Sequence, residues 1–104
     1  MATLFLQNKW RLTTAESCTG GLVAASITEL AGSSEWFERG YVTYSNQAKS
    51  EDIDVSQHLI ELHGAVSDPV ARAMALGAKQ NSSSHVALSI TGIAGPTGGM
   101  NSNL

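Results

Sequence analysis

The 104-residue chain has one cysteine, Cys18, so it has neither an internal disulfide nor a cysteine-rich metal site. Charge is also scarce. Asp, Glu, Lys and Arg make up 14% of the residues, well under the roughly 25% usual for globular domains. With 42% hydrophobic residues, this is not the composition of a charged, disordered tail. Nine acidic residues against six basic ones leave a net charge of -3. No basic patch stands out, which argues against a nucleic-acid partner held by phosphate neutralisation. No apolar run approaches the ~18–20 residues of a membrane helix. The start, Met1 to Leu12, lacks a signal-peptide cleavage pattern. The expectation is a soluble cytoplasmic protein of one domain, since this length supports a single modest core.

Glycine supplies most of the punctuation, at Gly20-Gly21 and between Gly92 and Gly99, whereas the two prolines are Pro69 and Pro96. Leu12 to Glu16 reads as a strand, and the polar turn Ser17-Cys18-Thr19-Gly20-Gly21 follows it. A helix comes next, with Leu22, Val23, Ser26, Ile27 and Leu30 near one face and Gly32 as its left-handed cap. Gly40 to Tyr44 reads as a second strand. Ser45 and Asn46 are both suited to cap a short helix over Gln47 to Glu51. A further helix is predicted over Ser56 to Leu62, ended by His63 and Gly64. Ser67-Asp68-Pro69 opens another, with Val70, Ala73, Met74 and Gly77 on its packing face. His85 to Thr91 is a third strand, apolar enough for a buried place in a parallel sheet.

Strands alternating with helices imply a layered α/β/α domain with a mainly parallel sheet. Ligands of such sheets sit beyond the carboxyl ends of the strands. Three segments fall there: Ser17 to Gly21, Tyr44 to Lys49, and Thr91 to Gly99.

Each candidate residue has a structural reading and a functional one. Ser17 is either a helix N-cap or a hydroxyl beside backbone N–H donors that stabilise an oxyanion or hold a phosphate. Gly20 and Gly21 let a ligand approach the backbone. The pattern is neither a P-loop nor a nucleophile elbow. Cys18 is either a small buried apolar residue or a thiolate favoured by the helix N-terminus. Lys49 is either a solvated helix lysine or a desolvated or tyrosine-paired base of lowered pKa that accepts a proton from serine. Serine–lysine pairs are an accepted variant of the hydrolytic triad. The glycine-rich stretch after Thr91 is a weak signal on its own. His58, His63 and His85 lack metal-ligand spacing, so no metal site is expected. Trp36 and Phe37 read as packing residues, and Arg39 as a surface residue.

Five segments together resemble the CinA C-terminal domain family. They are Ala15-Glu16-Ser17-Cys18-Thr19-Gly20-Gly21, Gly32-Ser33-Ser34-Glu35-Trp36-Phe37, Val42-Thr43-Tyr44-Ser45-Asn46-Gln47-Ala48-Lys49, His63-Gly64-Ala65-Val66-Ser67, and Thr91-Gly92-Ile93-Ala94-Gly95-Pro96. Order and spacing agree from Leu12 to Gly99, so residues 1–104 are expected to form one such domain. The family is bacterial, with cytoplasmic stand-alone members and competence/damage-inducible proteins in which this domain follows another. It is associated with nicotinamide-nucleotide amidohydrolase activity, which converts nicotinamide mononucleotide and water to nicotinate mononucleotide and ammonia.

The resemblance implies Ser17 as nucleophile, with Tyr44 and Lys49 as its activating partners. It implies substrate contacts from Cys18, Thr19, Gly20, Gly21, Asn46, Thr91, Gly92 and Gly95. It implies a small-molecule substrate and no metal or organic cofactor. The family domain is roughly half as long again, and Met100 to Leu104 does not read like its usual continuation. A shortened domain, with an exposed sheet edge and association between copies, is therefore expected. A non-catalytic nucleotide-binding or assembly module, or an inactive fragment of such an enzyme, is the alternative.

Overall fold

The computed structural model describes residues 2–91. The glycine-rich stretch from Gly92 to Gly99, with Pro96, and the segment Met100 to Leu104 lie outside the described residues.

Among the described residues, nine elements follow in chain order. They are α1 (Ala2–Asn8), β1 (Leu12–Glu16), α2 (Leu22–Thr28), a 3-10 turn (Ser33–Glu35), β2 (Phe37–Val42), α3 (Asn46–Ile53), α4 (Gln57–His63), α5 (Asp68–Gln80) and β3 (Val86–Ile90). The strands form a parallel sheet in the order β2-β1-β3. Glu16 is paired with Val42 on one side and Ile90 on the other, so all three strands end level.

Alternation along β1 divides the core into two layers. Ala15 packs with Ile53, Val55, Ile60, Val70, Met74 and Ala78, the layer formed with α3, α4 and α5. Leu12 packs on the opposite face with Phe5 and Trp36, whose rings stack with centroids 5.6 Å apart. Ile27 of α2 joins that second layer. The expected α/β/α layering is therefore present.

Several local expectations need correction. The second strand begins at Phe37 rather than Gly40 and ends at Val42, which leaves Tyr44 in the loop. Its pairing with β1 carries a one-residue irregularity: Leu12 faces Phe37 and Thr13 faces Arg39, so Glu38 has no partner in β1. The apolar β3 lies at an edge of the described sheet, and its Leu88 is exposed. The fully buried strand is instead β1, where Thr13, Thr14 and Glu16 sit without solvent contact.

Leu22, Ser26 and Leu30 do not form the buried face of α2. That helix faces the sheet with Val23, Ala24 and Ile27, and comes closest at small residues: a Cβ added to Gly40 would sit 3.1 Å from the Ala24 Cβ and 2.9 Å from the Thr14 hydroxyl. Gly32 is left-handed at φ 77°, but it opens the 3-10 turn, because α2 ends earlier with Glu29 as its cap.

The other helix boundaries follow local chemistry closely. Ser45, Ser56 and Ser67 cap α3, α4 and α5 by accepting the N–H of Ala48, Leu59 and Val70. Pro69 occupies the first turn of α5, and Gly64 ends α4 with a positive φ of 83°.

Candidate active site

The chain leaves β1 for β2 on one side, crossing by α2, and reaches β3 on the other side through α3, α4 and α5. The carboxyl end of β1 is thus a switch point of the sheet, the place where open α/β sheets hold ligands. Ser17 stands there. Its N–H donates to the Ile90 carbonyl at 3.0 Å, which continues the ladder one residue past β1. The Thr43 N–H likewise donates to the Glu16 carbonyl at 2.9 Å. These bonds tie together the carboxyl ends of all three strands.

The turn after Ser17 is shaped by its glycines. Gly20 has φ 62° and Gly21 φ 101°, a region that side chains resist. Gly21 is the residue before α2 and has no side chain to cap it. The cap is Glu16. One carboxylate oxygen accepts the Val23 N–H at 2.9 Å and the Thr19 hydroxyl, and the other accepts the Ala24 N–H at 2.8 Å. The Ser17 hydroxyl is therefore not the helix cap. It is 8% exposed and makes no side-chain hydrogen bond among the described residues. The backbone N–H groups of Cys18, Thr19, Gly20 and Gly21 likewise donate to no described residue.

Lys49 lies on α3, one turn past the Ser45 cap, on the side that also buries Ile53. It is 1% exposed. Its ammonium donates to the Tyr44 backbone carbonyl at 3.4 Å, a long contact. Burial holds its pKa below the ordinary lysine value, and the charge of the nearby Cys18 thiol acts in the opposite sense. The expected desolvated lysine is present, but the expected phenol partner is not. The Tyr44 side chain is 76% exposed, and that residue reaches Lys49 only through its carbonyl.

Asn46, the first residue of α3, is exposed, and its carbonyl accepts from the Gln57 amide at 3.2 Å. Thr91 is buried, with its hydroxyl donating to the Ala65 carbonyl at 2.9 Å. Gly92 and Gly95 fall outside the described residues. Among the described residues, no cluster of three His, Cys, Asp or Glu side chains is arranged to hold a metal ion. In those residues, too, no helix is long and apolar enough to cross a membrane. His85 is far from this edge, accepting the Arg11 N–H where β1 and β3 begin. Arg39 pairs with its neighbour Glu38 at 2.6 Å on the surface.

The structure adds two residues to this edge. Glu16 reads as the end of a strand, yet a helix preceded by Gly21 needs an acceptor from elsewhere for its first N–H groups. Thr43 is fully buried, and its hydroxyl has no partner among the described residues. Strand alternation from Tyr41, which packs on the Ala15 layer, puts Thr43 on the sheet face that carries α3.

The family model for the CinA C-terminal domain matches residues 1–103. The chain belongs to the CinA C-terminal domain family. This CinA-family chain is 59% identical over 88 residues to a protein of Escherichia coli (strain K12) named nicotinamide-nucleotide amidohydrolase PncC. That match covers 85% of the chain and 53% of the relative. A CinA-like protein of Syntrophobacter fumaroxidans is 57% identical over 90 residues, 86% of the chain and 21% of that protein. The chain thus spans about half the length, or less, of these curated relatives.

Among solved structures, a CinA superfamily protein from Escherichia coli superposes with a TM-score of 0.88 at 38% identity, covering 98% of this chain and 59% of that one. The competence/damage inducible protein CihA from Agrobacterium tumefaciens gives a TM-score of 0.86 at 47% identity, covering 90% and 57%.

Proposed function

We propose that this chain carries a serine amidohydrolase site, with Ser17 as nucleophile and Lys49 as its base. The observation that carries the reading is Lys49 itself. A lysine with almost no solvent contact, its pKa lowered by burial, stands at the end of the sheet where Ser17 lies. Such an amine spends part of its time neutral, and only the neutral amine can accept a proton. The relatives named nicotinamide-nucleotide amidohydrolase supply the substrate: the carboxamide of nicotinamide mononucleotide.

In this reading the neutral Lys49 amine takes the Ser17 proton as the serine oxygen bonds to the carboxamide carbon. The N–H groups of Cys18 to Gly21, which donate to no described residue, are donors for the resulting oxyanion. The carbon–nitrogen bond breaks as Lys49 returns the proton to the departing nitrogen, which leaves as ammonia. A water, deprotonated by Lys49, then attacks the acyl-serine ester. Nicotinate mononucleotide leaves, and the proton returns to Ser17. The Tyr44 carbonyl orients the lysine, and the exposed Tyr44 phenol, with Asn46, lies at the rim to meet substrate. Thr91, Gly92 and Gly95 belong to the substrate-binding loop in this assignment.

The test is ammonia release from nicotinamide mononucleotide by this chain, with Ser17→Ala assayed beside it. Release by the parent and none by a cooperatively folded Ser17→Ala is the expected result. Equal release by both overturns Ser17 as nucleophile. Tight binding of the nucleotide without release by the parent replaces hydrolysis with a binding role.

A further inference from the structure

Glu16 is fully buried and forms no ion pair with a cationic side chain among the described residues. A carboxylate out of water is costly unless hydrogen bonds compensate it. Here the compensation is three donors: the Val23 and Ala24 N–H groups and the Thr19 hydroxyl. Charge-assisted bonds of this kind are among the stronger ones in proteins. They tie the end of β1 to the start of α2 across the whole Ser17–Gly21 turn. The Glu16 carbonyl also accepts the Thr43 N–H, so the same residue joins the turn to the β2 end of the site.

We propose that Glu16 is a positioning residue for the Ser17 reaction. It clamps the turn so that Ser17 and the N–H groups of Cys18 to Gly21, which donate to no described residue, hold one arrangement before substrate arrives. This rests on the amidohydrolase reading above. Glu16 points to the α2 face of the sheet, opposite the α3 face that Lys49 occupies, and touches no reacting atom. It also uses the Val23 and Ala24 N–H groups, so an anionic part of the substrate has no claim on them. Its loss therefore slows the chemical step without weakening substrate binding.

The test compares the parent with Glu16→Gln, a change of equal size that sets an amide NH2 against backbone donors. Two readouts are used: kcat and KM for ammonia release from nicotinamide mononucleotide, and amide hydrogen exchange along the backbone. The expected result is a kcat lower by about tenfold to a hundredfold with KM within about threefold of the parent. Exchange should quicken at Val23 and Ala24 while β1, β2 and β3 stay protected. An unchanged kcat, or a rise in KM with kcat unchanged, overturns the proposal. If Glu16→Gln loses protection throughout the sheet, Glu16→Asp takes its place. That variant keeps the charge on a shorter reach, and an unchanged kcat in it is equally fatal. If the parent itself releases no ammonia, the amidohydrolase reading fails separately. The clamp is then judged on exchange alone, and unchanged rates at Val23 and Ala24 in Glu16→Gln overturn it.

Discussion

Gly77 of α5 packs directly on the Ile53 carbonyl at the end of α3, so closely that a Cβ at position 77 would overlap the oxygen. This contact sets the distance between the two helices, and α3 carries Lys49 one turn earlier. Gly77→Ala is expected to destabilise the fold by about 3 kcal/mol, at the upper end of the usual overpacking range. The backbone of α3 cannot rotate away as a flexible side chain would. Urea unfolding measures it, and a loss under about 0.5 kcal/mol would show that α3 and α5 separate freely.

Burial lowers the Lys49 pKa in the folded chain, whereas the unfolded chain has the ordinary value near 10.5. Between those two values the unfolded state binds more protons. Stability therefore rises with pH across that window and is level above 10.5. Lys49→Met should abolish this rise and be at least as stable at neutral pH, since it buries no charge. Thermal unfolding against pH, parent beside variant, checks the sign. Ammonia release should follow the same ionisation, increasing with pH as the amine becomes neutral, and Lys49→Arg should be inactive because arginine keeps its proton.

Among the described residues, negative charge on Cys18 opposes the effect of burial on Lys49. Removing it leaves burial unopposed. In Cys18→Ala the rise of activity with pH is expected at lower pH than in the parent, with the maximum rate retained. A pH–rate profile of both proteins reads this directly. An inactive, folded Cys18→Ala would instead make Cys18 the nucleophile in place of Ser17.

Thr43 buries a hydroxyl that has no partner among the described residues. An unpaired buried polar group costs about 1–3 kcal/mol. Thr43→Val keeps the shape and removes that cost, so it should unfold at a higher temperature than the parent. Lower stability in Thr43→Val would mean that the hydroxyl is hydrogen-bonded in solution.

The helix caps were legible because they are local. Ser45, Ser56 and Ser67 each satisfy an N–H only three residues onward, and Gly64 needs only its own backbone freedom. Two of the three segments named for the site, Ser17 to Gly21 and Tyr44 to Lys49, are described, and their place beyond β1 and β2 was legible because parallel strands joined by helices end at the same edge. The strand boundaries were less so. The Leu12–Phe37 pairing that starts β2 early, and the irregularity that leaves Glu38 unpaired beside it, join residues far apart in the chain, and no local pattern encodes them.

By itself, the amino-acid sequence determined the α/β class, the family, the starts of α2 to α5 and the candidacy of Ser17 and Lys49. These depend on local periodicity, caps and motif order. Only the tertiary structure decided what surrounds those residues. It buried Lys49 and directed its ammonium to the Tyr44 carbonyl while leaving the Tyr44 ring in solvent. It made a fully buried Glu16 the cap of a helix that starts six residues later. The physical reason is common to both. Burial and hydrogen-bond partnership belong to the packed sheet and its two helical layers, where residues distant in sequence exclude water together.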